Sequence, residues 1–224
     1  MKKIIFITLI ITLFQLQNIY AKEVFNKMEA GQKNLYIGFE FDPTFAGTIG
    51  YATSFKIDSL NRNLTLAWDI TLPIFLFDLK HYRVEMASRI PFFNSESWNI
   101  LNRFSLINKG TDNGLYYGNN ISIEQGFLMG YFGKSWFIAA DISYEKFLVT
   151  YIEHTALYRN LVYSDAKNGW YSSTGGNFNF GLQTGYSFSK TIEATIRCGL
   201  YQTEDFNNPV GVPFFANLGL NYRF

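Results

Sequence analysis

The sequence predicts an all-β protein in which about ten antiparallel strands close into a transmembrane up-and-down β-barrel. Aromatic residues make up 19% of the chain and charged residues only 17%, so many apolar side chains must be covered. No stretch after Ala21 is apolar over the roughly 18 residues that a spanning helix requires. Segments in which apolar and polar residues alternate, the period of a strand, recur to the end of the chain. A closed sheet pairs all its backbone groups and can turn one apolar face to lipid.

The first residues have the pattern of a secretory signal peptide rather than of the fold. Lys2 and Lys3 precede an apolar run at 4–14, and Ala21 completes a sequence that suits a cleavage site. The run is short for a membrane anchor. The predicted parts of the chain are therefore a signal peptide at 1–21, a periplasmic lead-in at 22–32 and the barrel at 33–224.

Charge and cysteine content exclude several classes of protein. Removal of Lys2 and Lys3 lowers the number of basic residues from 19 to 17, against 18 acidic ones. This balance predicts no nucleic-acid partner. Cys198 is the only cysteine, so no intrachain disulfide can staple the exported chain. Nothing in the sequence indicates an oligomeric state.

Five alternating segments fill the first half of the barrel. The turn signal Asp42-Pro43 separates the first two, and Pro73 is expected near the end of the third, because proline weakens an interior ladder position. In the fourth, apolar residues such as Val84 share one face and charged residues the other. A membrane barrel would turn the charges inward. The predicted strands are 35–41, 45–57, 64–72, 81–90 and 98–106.

Five more strands are predicted at 117–131, 136–145, 177–188, 192–200 and 214–224. Short turns at 94–97, 133–134 and 189–190 alternate with longer links at 108–114, 147–169 and 203–211. The longest link is expected to contain a helical turn at 154–161. Short turns on one side and long loops on the other are typical of membrane barrels, as is an even strand count. Eight strands is the alternative, if 35–55 is one bent strand and a further strand is lost.

The last strand carries a family resemblance. From Phe214 the even positions are apolar to the final aromatic residue, Phe224. This resembles the closing strand of bacterial outer-membrane β-barrels, of the small porin and OmpA-like class in general. The resemblance implies that Tyr222 and Phe224 form an assembly signal read by the barrel-assembly machinery. It also implies an outer-membrane location, contact with outer-membrane lipid and both termini in the periplasm.

Inward positions carry charges of both signs. In the predicted register these are Glu40, Asp69, Arg83, Glu85, Arg89, Arg103, Glu124, Asp141, Glu145, Glu193, Arg197 and Arg223. The interior of a barrel of about ten strands is only slightly wider than side chains can fill, and an isolated buried charge is costly. We therefore expect a paired charge network that plugs the lumen, rather than a small pore. Arg223 is expected near Glu193.

Candidate chemistry is sparse. His81 and His154 are predicted at or in the outer loops, with Glu153 beside His154. Some outer-membrane barrels are enzymes in which a histidine at the outer rim is paired with Ser or Asp. None of the active-site motifs of those families is found in this sequence. Ordinary solvated loop residues are the favoured interpretation. No metal motif and no cofactor motif is found, so neither group is predicted.

The predicted function is a structural or surface-interaction role for an outer-membrane barrel. A narrow pore for small solutes is the first alternative, and a lipid- or peptide-processing enzyme at the outer rim is the second. The link 147–169 is rich in aromatic residues, which suits a binding surface or a loop packed over the barrel mouth.

Overall fold

The computed structural model describes residues 28–41, 45–74, 80–95, 97–206 and 213–224. The predicted signal peptide and most of the predicted lead-in lie outside these residues. Within the described parts of the chain, no helix is both long and apolar enough to cross a membrane.

Most of the described chain is β-strand. The strands are β1 (Lys33–Phe41), β2 (Phe45–Ile57), β3 (Arg62–Pro73), β4 (Tyr82–Asn94), β5 (Trp98–Asp112), β6 (Tyr116–Phe132), β7 (Trp136–His154), β8 (Gly169–Ser172), β9 (Gly176–Ser187), β10 (Ile192–Thr203) and β11 (Phe214–Arg223). A single 3₁₀ turn at Asp58–Leu60 and the helix α1 (Ala156–Leu161) are the helical elements of the described residues.

Ten of these strands close into an antiparallel barrel, which confirms the predicted fold and strand count. Each pairs with its neighbour in sequence, except that β7 pairs directly with β9. The short β8 pairs only with the end of β7, opposite Val149–Ile152. β1 pairs with β11, with Ile37 opposite Leu220 and Leu35 opposite Tyr222, and this contact closes the sheet.

The two ends of the barrel differ. One end, here called the terminal end, carries the first residue of β1, the last of β11 and tight turns such as 133–135. The opposite end, here called the loop end, carries the links 113–115 and 155–175. Hydrogen bonds from Gly31 N to Ser54 O (2.7 Å) and from Ser54 N to Gln32 O (3.0 Å) fold the described lead-in along β2 at the terminal end.

Two strands are longer than predicted at the loop end. β5 continues to Asp112 and β7 to His154, so most of the predicted loop 108–114 and the first part of the predicted link 147–169 are strand. The apolar alternation stops in β5 because the side chains become polar, and it is broken in β7 by a bulge. The ladder with β6 continues to hold both backbones, with Tyr117 opposite both Asp112 and Glu153. The strand β8 was not predicted.

A β-bulge changes which residues of β7 face inward. Ile121 pairs with Val149 and Ser122 with Phe147, so Leu148 has no partner in the β6 ladder. Odd-numbered residues of β7 face the lumen before the bulge, and even-numbered residues such as Ile152 face it after the bulge. A strict two-residue period therefore assigns the wrong face to the end of this strand.

The outer face is apolar and the inner face mixed. Ile49, Met86 and Met129 are about half exposed on the outside. Inside, an apolar layer not foreseen from the sequence lies near the terminal end, where the rings of Phe132 and Phe137 stack with centroids 5.2 Å apart. The apolar residues buried there are Leu101, Leu128, Phe132, Phe137 and Ala139, and a second cluster contains Met28, Tyr36, Ala52, Ala67 and Ala87.

Tyr36 needs a glycine opposite it. Its ring is 1% exposed and lies over Gly50 on β2, where an added Cβ would overlap the ring. Gly47 on the same strand faces outward, and a Cβ there would meet the side chain of Ile74 at an ordinary 3.4 Å. Substitution of Gly50 therefore tests the packing of Tyr36, and the same substitution at Gly47 serves as its control.

We expect Gly50→Ala to destabilise the folded barrel by about 1–3 kcal/mol, because the added methyl group overpacks the lumen. Gly47→Ala, the control, should leave stability nearly unchanged. Urea unfolding in detergent micelles, followed by tryptophan fluorescence, measures both variants. Equal stability of the two would contradict the described packing of Tyr36.

Candidate functional site

The centre of the lumen holds a cluster of opposite charges. Arg103 on β5 contacts Glu124 on β6 at 2.8 Å and Asp141 on β7 at 3.4 Å. Arg197 on β10 reaches Asp141 from the other side through its Nε. The guanidinium of Arg197 also lies 4.4 Å from the ring centroid of Phe215 on β11, a cation–π contact. We call these five residues the central belt.

Neutral side chains complete the central belt. The side-chain amide of Asn179 on β9 donates to Glu124 Oε2 at 3.1 Å and to Ser143 Oγ at 3.0 Å. Glu124 and Asp141 are almost fully buried. Buried carboxylates held by both cations and hydrogen-bond donors are stable only as a set, because removal of one partner leaves a buried charge uncompensated.

The charges on the β1–β5 side are held by other partners. Glu40 accepts hydrogen bonds from the hydroxyls of Thr48 and Thr71 and, at 2.9 Å, from the side-chain amide of Asn217. This carboxylate is therefore held mainly by neutral donors from three neighbouring strands.

Arg83 and Glu85 form an ion pair on β4. Arg83 Nη2 lies 3.0 Å from Glu85 Oε2, and Ser105 donates to the other oxygen of Glu85 at 2.8 Å. Arg83 lines one cavity together with Glu40 of β1 and a second cavity together with Glu145 of β7. Its guanidinium therefore projects from β4 toward the middle of the barrel.

A second ion pair lies near the terminal end. Arg223 Nη2 is 2.7 Å from Glu193 Oε2, and Ser187 donates to the same oxygen at 2.8 Å. The remaining inward charges of the sequence analysis are also buried: Asp69 accepts from the hydroxyl of Tyr36 at 2.7 Å, Glu145 accepts from Ser122, and Arg89 lines a cavity at the terminal end.

Two cavities open at the loop end and one at the terminal end. A cavity of about 370 Å³ is lined by His81, Tyr82 and Glu40, among others. A second cavity of about 560 Å³ is lined by His154, Tyr158 and Phe147, among others. Arg83, Lys109 and Thr111 line both. The terminal-end cavity, about 460 Å³, contains Met28, Arg89 and Leu101 in its wall.

The structure does not bring the candidate rim residues together. His81 and His154 line different cavities. Glu153 is exposed and points to the opposite face of β7 from His154, because neighbouring residues of a strand alternate. The ring of His154 instead packs at a tilt of 36° against the ring of Tyr158 of α1, with centroids 4.7 Å apart. Among the described residues, no group of three or more His, Cys, Asp or Glu side chains is placed to hold a metal ion.

Aromatic residues surround the terminal end on the outside. Trp98, Tyr131 and Trp136 form a continuous row, with ring centroids 6.2 and 5.2 Å apart. Tyr222 and Phe224 stack at 5.8 Å and are half exposed. Amphipathic aromatic rings at this level suit a membrane–water interface.

Comparisons with known proteins match the architecture. No family model matches the chain, and no curated protein matches it in sequence. An outer membrane channel from Pseudomonas putida F1 is similar in structure, with a TM-score of 0.55 and 9% identity over 91% of this chain and 100% of that one. Ail, the attachment invasion locus protein of Yersinia pestis, gives a TM-score of 0.42 and 8% identity over 88% and 100%. The chain has the fold of a bacterial outer-membrane β-barrel.

Sequence reasoning missed part of the site in this outer-membrane barrel. Tyr116, Phe147 and Ile152 line the larger loop-end cavity, but all three lie outside the predicted strands, and Ile152 also lies beyond the bulge that reverses the inward face of β7. The only sequence signal for this part of the cavity wall was the position of Thr150, Ile152 and His154 at every second residue.

A charged contact at the loop end ties β10 to β7. Lys146 donates to the two oxygens of Glu204 at 3.0 and 2.8 Å, and the hydroxyl of Tyr144 donates at 2.6 Å. These hydrogen bonds, that of Lys146 first, lower the pKa of the Glu204 carboxyl. The carboxylate thus fastens the start of the link after β10.

This contact predicts a pH-dependent stability. The pKa of Glu204 in the folded protein lies below its value of about 4.3 in the unfolded chain. The contribution of the ionised carboxylate to folding stability is therefore complete above that value and is lost as pH falls through the folded pKa. We expect Glu204→Gln to unfold at lower urea concentration than wild type at neutral pH, with the difference vanishing in acid. Asp165→Asn, which removes an exposed acid of the 155–175 link, is the control. If the difference in urea midpoint between Glu204→Gln and wild type stays constant with pH, the result would argue against the contact of Glu204 with Lys146 and Tyr144.

Proposed function

We propose that the protein is an outer-membrane β-barrel with a closed lumen that acts as a structural or surface-interaction protein. In this proposal the terminal end faces the periplasm and the loop end faces the cell exterior. The central belt is the observation that carries the proposal, because it places paired charges across the middle of the lumen between both sets of cavities.

Closure is supported by two layers in series. The central belt joins residues of β5, β6, β7, β10 and β11 through ion pairs and the contact of Arg197 with Phe215. Nearer the terminal end, the rings of Phe132 and Phe137 stack inside the barrel, and Met28 is buried at 3% exposure beside the terminal-end cavity. A hydrated ion would have to separate buried charges and pass an apolar layer, and both steps are unfavourable.

A surface role is supported by the 155–175 link. Leu161 is 74% exposed, and Trp170 62% exposed. Leu157, Val162 and Tyr163 of the same link are also more than half exposed. Clustered exposed apolar side chains favour contact with another molecule, whereas a link that only covers the barrel mouth would bury them.

The closed lumen predicts electrical silence. We expect the refolded wild-type protein to show no discrete conductance steps in planar bilayers. Arg103→Ala combined with Glu124→Ala removes one charge of each sign from the central belt, so it should open a path and produce steps. The charge-matched control, Lys134→Ala with Glu29→Ala at exposed sites, should stay silent.

Steady conductance of the wild type, equal to that of both double variants, would sink the closed-lumen proposal and favour the narrow pore. Heat-dependent mobility on SDS gels shows whether each variant has folded, so a misfolded variant cannot be taken for a silent one.

The orientation has its own test, which uses the single cysteine. In a Cys198→Ser background, Lys167→Cys places a thiol in the loop-end link and Lys134→Cys places one in a terminal-end turn; both lysines are exposed. We expect a membrane-impermeant maleimide to label position 167 on intact cells and position 134 only after the outer membrane is permeabilised. The reverse pattern would overturn the orientation, and labelling of neither before lysis would contradict a surface role.

A further inference from the structure

Two carboxamide side chains lie on the outer face of the barrel, among the apolar side chains of β5 and β6. Asn102 on β5 shares that face with Ile100 and Phe104, and Gln125 on β6 is exposed directly opposite Phe104. In this register the two carboxamides are diagonal neighbours, about 7–8 Å apart. Asn102 stands roughly 13 Å along β5 from Trp98 of the aromatic row. This position is inside the apolar band of such barrels, which is about 25 Å tall.

Neither carboxamide is fully satisfied within one barrel. Among the described residues, none hydrogen-bonds with the side chain of Asn102. Gln125 donates through Nε2 to the backbone oxygen of Arg103 at 3.1 Å, but no described residue donates to its Oε1. Hydrocarbon offers no hydrogen-bond partner, so an unpaired carboxamide that faces lipid is unfavourable. Both groups therefore call for a partner that is itself polar and lies in the membrane.

The polar side chains are grouped on one side of the barrel. Ser88 on β4 also faces outward, with its Oγ 3.4 Å from the backbone oxygen of Phe104. We call Ser88, Asn102 and Gln125 the outer polar patch. Thr184 on β9 is outward too, but its hydroxyl donates to the backbone oxygen of Phe137 at 2.6 Å. On β11, across the barrel from β5, the outward residues are apolar or aromatic: Phe214, Ala216, Leu218, Leu220 and Tyr222.

A depression of the outer face adjoins the outer polar patch. Its volume is about 180 Å³, and Ser88 lies in its wall beside the larger side chains of Met86, Phe104 and Leu106. Because serine is smaller than these neighbours, it leaves a hollow in an otherwise bulky surface. Small residues at such a place let a second protein surface approach closely in the membrane.

We propose that this face binds a second copy of the chain, so that two barrels meet in the membrane through β4, β5 and β6. A carboxamide carries both hydrogen-bond donors and an acceptor. The same patch on two copies is therefore complementary to itself, as a two-fold interface requires. The carboxamides of one copy hydrogen-bond with those of the other, and an outward apolar side chain of each copy fills the depression of its partner.

A lipid acyl chain is the alternative occupant of the depression, but it offers no hydrogen bond to Asn102 or Gln125. The second copy supplies both the apolar filling and the polar partner. This inference goes beyond the proposed function, because it uses only the outer face of the barrel and is independent of whether the lumen conducts.

Cross-linking in isolated outer membranes tests the interface. In a Cys198→Ser background, Ile100→Cys places a thiol on the outer face of β5 next to Asn102 and leaves the outer polar patch intact. Leu218→Cys places one on the opposite side of the barrel. We expect a short membrane-permeant bis-maleimide to give a covalent dimer from the position 100 variant and little from the position 218 variant. Mass spectrometry of the product shows whether both halves are this chain.

A second set of variants tests the carboxamides themselves. Asn102→Leu combined with Gln125→Leu, added to the Ile100→Cys protein, should lower the cross-linked fraction at least about tenfold, because the hydrogen bonds between the copies are lost. The stability of the folded barrel in urea should not fall, since leucine suits a lipid-facing position. Thr184→Val, which removes an outward hydroxyl elsewhere, is the control and should cross-link like its parent. If the double variant fails the heat-mobility test of folding, Asn102→Leu alone is used for the same comparison.

Three results would overturn the proposal: no dimer from the position 100 variant, equal cross-linking at positions 100 and 218, or an undiminished dimer after loss of the carboxamides. A product that contains a different protein would also overturn it and would assign the face to an unlike partner. The conductance measurement is unaffected by any of these results, so failure of this proposal is distinguishable from failure of the closed-lumen proposal.

Discussion

The hydrogen bonds between β1 and β11 remove the last two free edges of the sheet, and both surfaces of the protein depend on them. In hydrocarbon an unpaired backbone group is costly, so an open sheet of this apolar character could not be stable there. Once the sheet is closed, each strand presents alternate residues to two different environments. The outer residues form the apolar face and the inner residues must share a narrow lumen.

The narrow lumen explains the chemistry of the inner face. Buried carboxylates such as Glu124 and Asp141 cannot be hydrated by bulk water, so they are compensated by Arg103 and Arg197 from strands that are distant in sequence. Large rings are accommodated only where the facing residue is small, as at Tyr36 and Gly50. Charge pairing and ring packing are thus two solutions to the same lack of space.

The loop end is governed by different forces. There the strands run beyond the apolar part of the outer face, so polar residues such as Thr150 and Asn120 can hydrogen-bond with each other at 2.8 Å. The bulge beside Leu148 turns Ile152 and His154 toward the barrel axis. The larger loop-end cavity results from these two features together: strands that extend beyond the apolar alternation, and a change of face that directs Thr150, Ile152 and His154 inward.

The amino-acid sequence was enough to predict the all-β class, the ten barrel strands and the inward position of the charged residues, because a two-residue period separates the two faces of a strand without any knowledge of its neighbours. It also indicated that Arg223 and Glu193 lie in the same region. Which charges meet became clear from the folded barrel, since Arg103, Asp141 and Arg197 come from three separate strands. The folded barrel also sets the strand ends at Asp112 and His154, the apolar layer of Phe132 and Phe137 and the composition of the larger loop-end cavity. These depend on ladder partners, on a bulge and on the width of the closed lumen, which are properties of the assembled sheet and not of any one strand.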